Sequence, residues 1–281
     1  MFKRYTRRSL RADDGFGSIE LLVAITVTAL GIALASGLML AGRSHVRQQE
    51  KELEASHAGR ASLETILREL RLGGACLPET GEFIALEAIN SGTHDEITTR
   101  FGLTFDNDMS CIQTATTSDA TAGSTTIALD NADGFAAGTL VYLRHTNGSG
   151  EYFIVTTVDP SSRTLGTDRG LLNDYPATSG VYAIDERKFS IETPSGAPPR
   201  LMLQVGRGLA YPFALGIESL DVHYELADGS IIDEPGDDPT WRSLRQIHID
   251  LTARSLSKSL QGDYIRRVFS VGIKPRNLIG S

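Results

Sequence analysis

The sequence predicts an α+β protein in which one long N-terminal helix, apolar in its first half and amphipathic in its second, packs on a mostly antiparallel β head. Three observations predict it. Residues 21–42 hold no charged side chain and are dense in Leu, Ile, Val and Ala. Residues 43–72 contain no Pro, and their apolar positions recur at helical spacing. After Gly73-Gly74 the chain changes to short apolar runs separated by turn residues, a strand pattern. With 281 residues, 41% hydrophobic and 22% charged, the composition is that of a folded protein and excludes disorder, collagen-like repeats and a multi-span membrane protein.

Charge is unevenly placed. Residues 1–15 carry Lys3, Arg4, Arg7, Arg8 and Arg11 against Asp13 and Asp14, a net +3. The whole chain is −8, so the remainder is −11, which disfavours a nucleic-acid-binding surface. About twenty apolar residues in a helix cover the ~30 Å hydrocarbon core of a bilayer. A basic flank ahead of the span predicts a cytoplasmic N-terminus and an external remainder. Glu20 sits at the leading edge of this run, within FGSIELLVAI. An ionised carboxylate costs roughly 2.5–3.5 kcal/mol at the bilayer centre and less near its surface, so a cation on a neighbouring chain is its expected partner.

The string GFGSIELLVAI, residues 15–25, resembles the class III (prepilin) signal of type IV pilins and type II secretion pseudopilins. The resemblance implies that prepilin peptidase cuts after Gly15, that residues 1–15 are a leader, and that Phe16 becomes the N-methylated terminus. It also implies that Glu20 neutralises the terminal amine of an adjacent subunit during assembly. Gly17 and Ser18 stand where Thr and Leu are frequent in that family. A competing reading is cleavage by ordinary signal peptidase after Ala33-Leu34-Ala35, which would release a soluble protein starting at Ser36. Three features oppose it: Asp13 and Asp14 dilute the basic region, Glu20 interrupts the core, and the apolar run continues to Leu40.

The helix is expected to continue out of the membrane, as residues 16–72 with the span at about 19–42. Only Gly59 interrupts residues 43–72, the stretch RQQEKELE at 47–54 reads as a solvated face, and Leu63, Ile66, Leu67 and Leu70 form an apolar stripe. Gly73-Gly74 is the stop. At 1.5 Å per residue such a helix is roughly 80 Å long; a long helix bearing a head is the pilin-like lollipop. Gly31, Gly37 and Gly42 either permit close helix approach or are ordinary membrane-helix glycines.

The head, residues 73–281, has candidate strands at 83–89, 96–103, 125–129, 140–143, 152–158, 181–184, 189–192, 200–205, 217–225, 245–253 and 265–273. The Thr-, Ala-, Ser- and Asp-rich residues 112–135 lead into a separate unit, so residues 112–185 read as a small inserted β subdomain, with Asn147-Gly148-Ser149-Gly150 as a hairpin turn. The flanking parts resemble PilW-type minor pilins and J-type pseudopilins. The resemblance rests on IESLDVHY at 217–224, on Trp241-Arg242-Ser243-Leu244-Arg245 opening the next strand, on the early strand DEITTRF at 95–101, and on Arg276-Asn277 near the end.

Cys76 and Cys111 fall on the predicted extracytoplasmic side, where a bridge closing a loop of that length would be worth roughly 3–4 kcal/mol; two buried free thiols are the alternative. No H-E-x-x-H, G-x-S-x-G or P-loop pattern is present, and the expectation is a protein without enzymatic activity and without a required cofactor. His223 and His248 lie on successive strands that could share a metal, though a structural pair is the commoner arrangement. The acidic loop at 228–238 offers Asp233, Asp237 and Asp238 as Ca²⁺ candidates, but its spacing does not match the D-x-[DN]-x-[DN]-G loop, and a solvated loop is the default.

These readings converge on a minor type IV pilin, anchored in the bacterial inner membrane with its head in the periplasm and then carried to the pilus surface. It would act in priming or at the filament tip. Expected partners are other minor and major pilins, prepilin peptidase, the inner-membrane assembly machinery and a tip adhesin. A J-type pseudopilin of a type II secretion system and an adhesin acting through the inserted lobe are the alternatives.

Overall fold

The computed structural model describes residues 17–78, 83–90, 94–105, 107, 109–233, 244–259 and 261–274. Gly15, Phe16, Asp237, Asp238, Trp241 and Arg276-Asn277 lie outside the described residues. The chain divides into two compact units, residues 1–50 and 51–281.

One helix, α1 (Ser18–Leu72), is followed by β1 (Leu86–Asn90), β2 (Asp95–Gly102), β3 (Gln113–Ala115), β4 (Thr126–Ala128), β5 (Leu140–Arg144), β6 (Gly150–Asp159) and β7 (Thr164–Thr167). Then come β8 (Gly180–Glu192), β9 (Arg200–Val205), β10 (Tyr211–Leu215), β11 (Ile217–Leu226), β12 (Ile231–Ile232), β13 (Leu244–Arg254) and β14 (Arg266–Ile273). The helix stops as its Gly pair predicts. Gly74 takes φ 79°, a left-handed conformation that glycine adopts without penalty, and its N–H donates to Arg100 O at 2.9 Å. The chain leaving the helix therefore bonds directly to β2.

The strands form a ten-stranded sheet of order β1-β2-β8-β5-β6-β7-β4, with β3 and β9 also on β8 and β10 on β9, and a four-stranded sheet of order β12-β11-β13-β14. Every pairing is antiparallel. The 13-residue β8 joins two regions. Its residues 180–184 pair with β5, and 180–182 with β3; its residues 184–189 pair with β2, and 187–192 with β9. The sequence predicts two short strands here, broken at Asp185-Glu186-Arg187-Lys188. The structure has one strand, because those charges are paired within the sheet: Asp185 with Arg187, Glu186 with Arg100, and Lys188 with Glu96.

Two large apolar cores result. The first joins Ile66, Leu67 and Leu70 of α1 to Leu86, Ile97, Phe189 and Leu201 of the ten-stranded sheet and to the inner face of the four-stranded sheet, including Val222, Tyr224, Ile247 and Ile249. The second draws its buried members from 112–183, among them Ile127, Leu129, Val141, Phe153, Leu165 and Val181. Gly59, the one break in the helical composition, has a packing reason: a Cβ there would lie 2.1 Å from the Phe269 ring. The stretch expected as a solvated face is partly committed instead. The Lys51 ammonium donates to Lys258 O, Glu54 accepts from Leu256 N at 3.3 Å, and Glu52 pairs with Arg267 at 3.1 Å, so the helix holds the connection between β13 and β14.

Candidate functional site

The apolar part of α1 presents its side chains outward all round. Ile19, Leu22, Ile25, Leu30, Ile32, Leu34 and Leu38 are all exposed, with Ile19 at 78%. By length and composition this helix can cross a membrane. Two of its polar side chains are satisfied within the helix: Thr26 Oγ1 donates to Val23 O at 2.9 Å and Thr28 Oγ1 to Ala24 O at 2.7 Å. Glu20 lies in the first turn, where the helix dipole favours a carboxylate, and its Oε2 accepts from Gly17 N at 3.2 Å. Among the described residues no cationic side chain pairs with it. The carboxylate retains capacity for a strong donor.

Cys76 and Cys111 are joined by a disulfide with Cα atoms 5.5 Å apart. The bond ties the end of α1 to the chain entering β3. Gly102 lies against it, and a Cβ at that position would sit 2.6 Å from the Cys76 Cβ.

The two histidines flagged in the sequence are direct cross-strand partners, His223 on β11 opposite His248 on β13. They do not converge on a common ligand. His223 Nδ1 is 2.9 Å from Asp233 Oδ1, whereas His248 Nε2 is 3.0 Å from Glu225 Oε2, and Arg245 also pairs with Glu225 at 3.1 Å. The hydrogen bond from His248 is the main reason the Glu225 carboxyl sits below its ordinary range. Asp233, a Ca²⁺ candidate, is thus engaged by a histidine. No group of three metal-binding side chains occurs among the described residues.

Sequence reasoning missed a buried polar network where β8 passes from one core to the other. The Arg100 guanidinium donates from Nε to Glu186 Oε2 at 2.6 Å, from Nη2 to Glu87 Oε2 at 2.7 Å and from Nη1 to Ile84 O at 3.0 Å. It also stacks 5.4 Å from the centre of the Tyr152 ring. Burial pushes the Tyr152 phenol up to about 12, against the opposing pull of Arg100. A second buried carboxylate, Asp95 on β2, accepts from Val222 N of β11 at 2.7 Å and links the two sheets; burial raises its pKa. The carboxylate partners of Arg100 are 13 and 86 residues away, so no local spacing announces the network.

No protein-family model matches the sequence, and no curated protein does. Among solved structures, the chain is similar to a type IV-like pilin from Thermus thermophilus, with a TM-score of 0.38 and 14% sequence identity over 80% of this chain and 98% of that one.

Proposed function

We propose that this chain is a minor type IV pilin that assembles through its N-terminal helix after prepilin peptidase cuts behind Gly15 and Phe16 is N-methylated. The observation that carries the reading is the GFGSIELLVAI string placed at the head of a 55-residue helix that begins in an exposed apolar run and ends in a buried stripe. A uniformly apolar helix needs lipid before assembly and other apolar helices after it. Glu20, with no cationic partner among the described residues, is suited to meet the amine of a neighbouring subunit. In this reading residues 1–15 orient the chain, the head is periplasmic, and the partners are other pilins and the inner-membrane assembly machinery. A J-type pseudopilin would use the same physics.

Residues 112–185 are read as an inserted lobe. The apolar core drawn from 112–183 gives this lobe packing of its own, and as a second reading we propose that it contacts a ligand at the filament tip.

Mass analysis of the N-terminus of the exported protein tests the main reading. A chain beginning at methyl-Phe16 is expected. A chain beginning at Ser36 overturns it, because the assembly helix would then be gone.

A further inference from the structure

We propose that the groove between the β9–β10 hairpin and the strand pair β5–β6 binds a neutral oligosaccharide. Two clefts, of about 530 Å³ and 520 Å³, meet there and share Leu140, Ile154 and Arg207. Each falls in the size range of ligand sites, and three shared lining residues put the two side by side, so that a chain with several units could engage both. Arg207 stands at the junction of the two. It rises on the Gly206-Arg207-Gly208 turn, its side chain is 54% exposed, and its nearest carboxylate oxygen, Glu186 Oε1, is 3.8 Å away. The other oxygen of Glu186 is taken by Arg100 at 2.6 Å. Arg207 therefore keeps most of its donors.

The charges lining the first cleft decide the class of ligand. They are Arg169 and Arg207 against Glu151 and Asp168, two of each sign. Glu151 is spent on the protein itself, accepting from Leu172 N at 2.8 Å and pairing with Arg169 at 3.1 Å. Asp168 gives one oxygen to Ile154 N at 2.8 Å, and its other oxygen has no partner among the described residues. In the second cleft, Asp185 is paired with Arg187 at 2.6 Å. An anion would meet the free oxygen of Asp168, and a cation would meet Arg207 and Arg169. A hydroxyl both donates and accepts, so a polyol satisfies Arg207 and Asp168 together without burying an unmatched charge. The apolar floor of Leu140 and Ile154 suits the C–H face of a sugar ring.

The test uses the full-length protein in a micelle of a detergent without a sugar headgroup, titrated by calorimetry. The probes are cellohexaose, maltohexaose, chitohexaose and, as the charged counterpart, hexagalacturonate. Saturable binding of at least one neutral hexasaccharide is expected, with hexagalacturonate weaker. Arg207→Ala should weaken it about tenfold or more, the loss of a charge-assisted hydrogen bond, with an unchanged melting curve. Ala137→Trp, at an exposed position lining the second cleft, should weaken it while leaving both arginines in place. The proposal is overturned if none of the neutral probes saturates, if hexagalacturonate binds as tightly as they do, or if both variants bind like the wild type. These outcomes are independent of processing at Phe16, so the groove and the pilin reading stand or fall separately.

Discussion

The two ends of α1 solve opposite problems with one backbone conformation. In residues 18–40 every large apolar side chain is exposed, and a Cβ added at Gly31 or Gly37 would meet nothing within 4 Å. In residues 51–72 the apolar positions narrow to a stripe, with Ile66, Leu67 and Leu70 buried on the sheets, and the glycine at 59 is demanded by the ring of Phe269. A stripe tells a helix which neighbour to seek, whereas apolarity all round asks for an apolar solvent. On the proposed pilin reading the first segment takes its stability from lipid or neighbouring helices, whereas the second packs on the chain's own β strands. Mutations should separate the two.

The largest expected effect lies in the first segment. Glu20→Ala should abolish incorporation into filaments while leaving membrane insertion and the melting temperature of residues 51–281 unchanged. Filament fractions probed for the protein, beside a membrane-fraction control, measure this. Incorporation at the wild-type level would show that the carboxylate has no pairing role.

Next come matched truncations. Ile66→Ala removes a fully buried side chain from the first core and should destabilise the head by about 2–5 kcal/mol. Leu30→Ala, at a side chain 64% exposed, should change head stability by less than about 0.5 kcal/mol. Urea unfolding in micelles measures both. Equal costs would mean that residues 18–40 are packed on the head and would remove the contrast altogether.

Most of the helix and the long strands of the second sheet were legible because burial leaves a period in the sequence. Strands β11 and β13 alternate buried and half-buried residues over ten and eleven positions, and both were predicted to within a residue or two. Strands β3, β7, β10 and β12 were missed. They hold two to five residues, and β10 carries Pro212 on the edge of its sheet. The continuity of β8 was hidden for a different reason. Four consecutive charged residues read as a loop, and only tertiary partners such as Arg100 and Glu96 make them a strand. Glu20 stands out in the sequence as a lone carboxylate at the edge of an apolar run, its pairing role a proposal, and the cysteine pair stands out as the chain's two thiols, which the structure joins. The groove does not stand out, because Leu140, Asp168 and Arg207 come together only through the topology of the ten-stranded sheet.

Alkali offers the finest distinction between the two segments. Tyr152 is held up to about 12, first by burial and then by the nearby carboxylates Glu186 and Glu87, with Arg100 pulling the other way. An unfolded tyrosine titrates near 10. The folded state thus binds this proton more tightly, and the stability it contributes is complete below about pH 10 and lost as pH rises through about 12. Tyr175 is also pushed up, by burial and then by Glu151, so one substitution recovers only part of the loss. Residues 21–42 contain no titratable side chain. In micelles, raising the pH from about 9 to 12 should therefore lower the urea midpoint of the β signal while helical signal from residues 21–42 persists, and Tyr152→Phe should recover part of that loss. Simultaneous loss of both signals would tie the apolar helix to the folded head and refute the separation drawn between them.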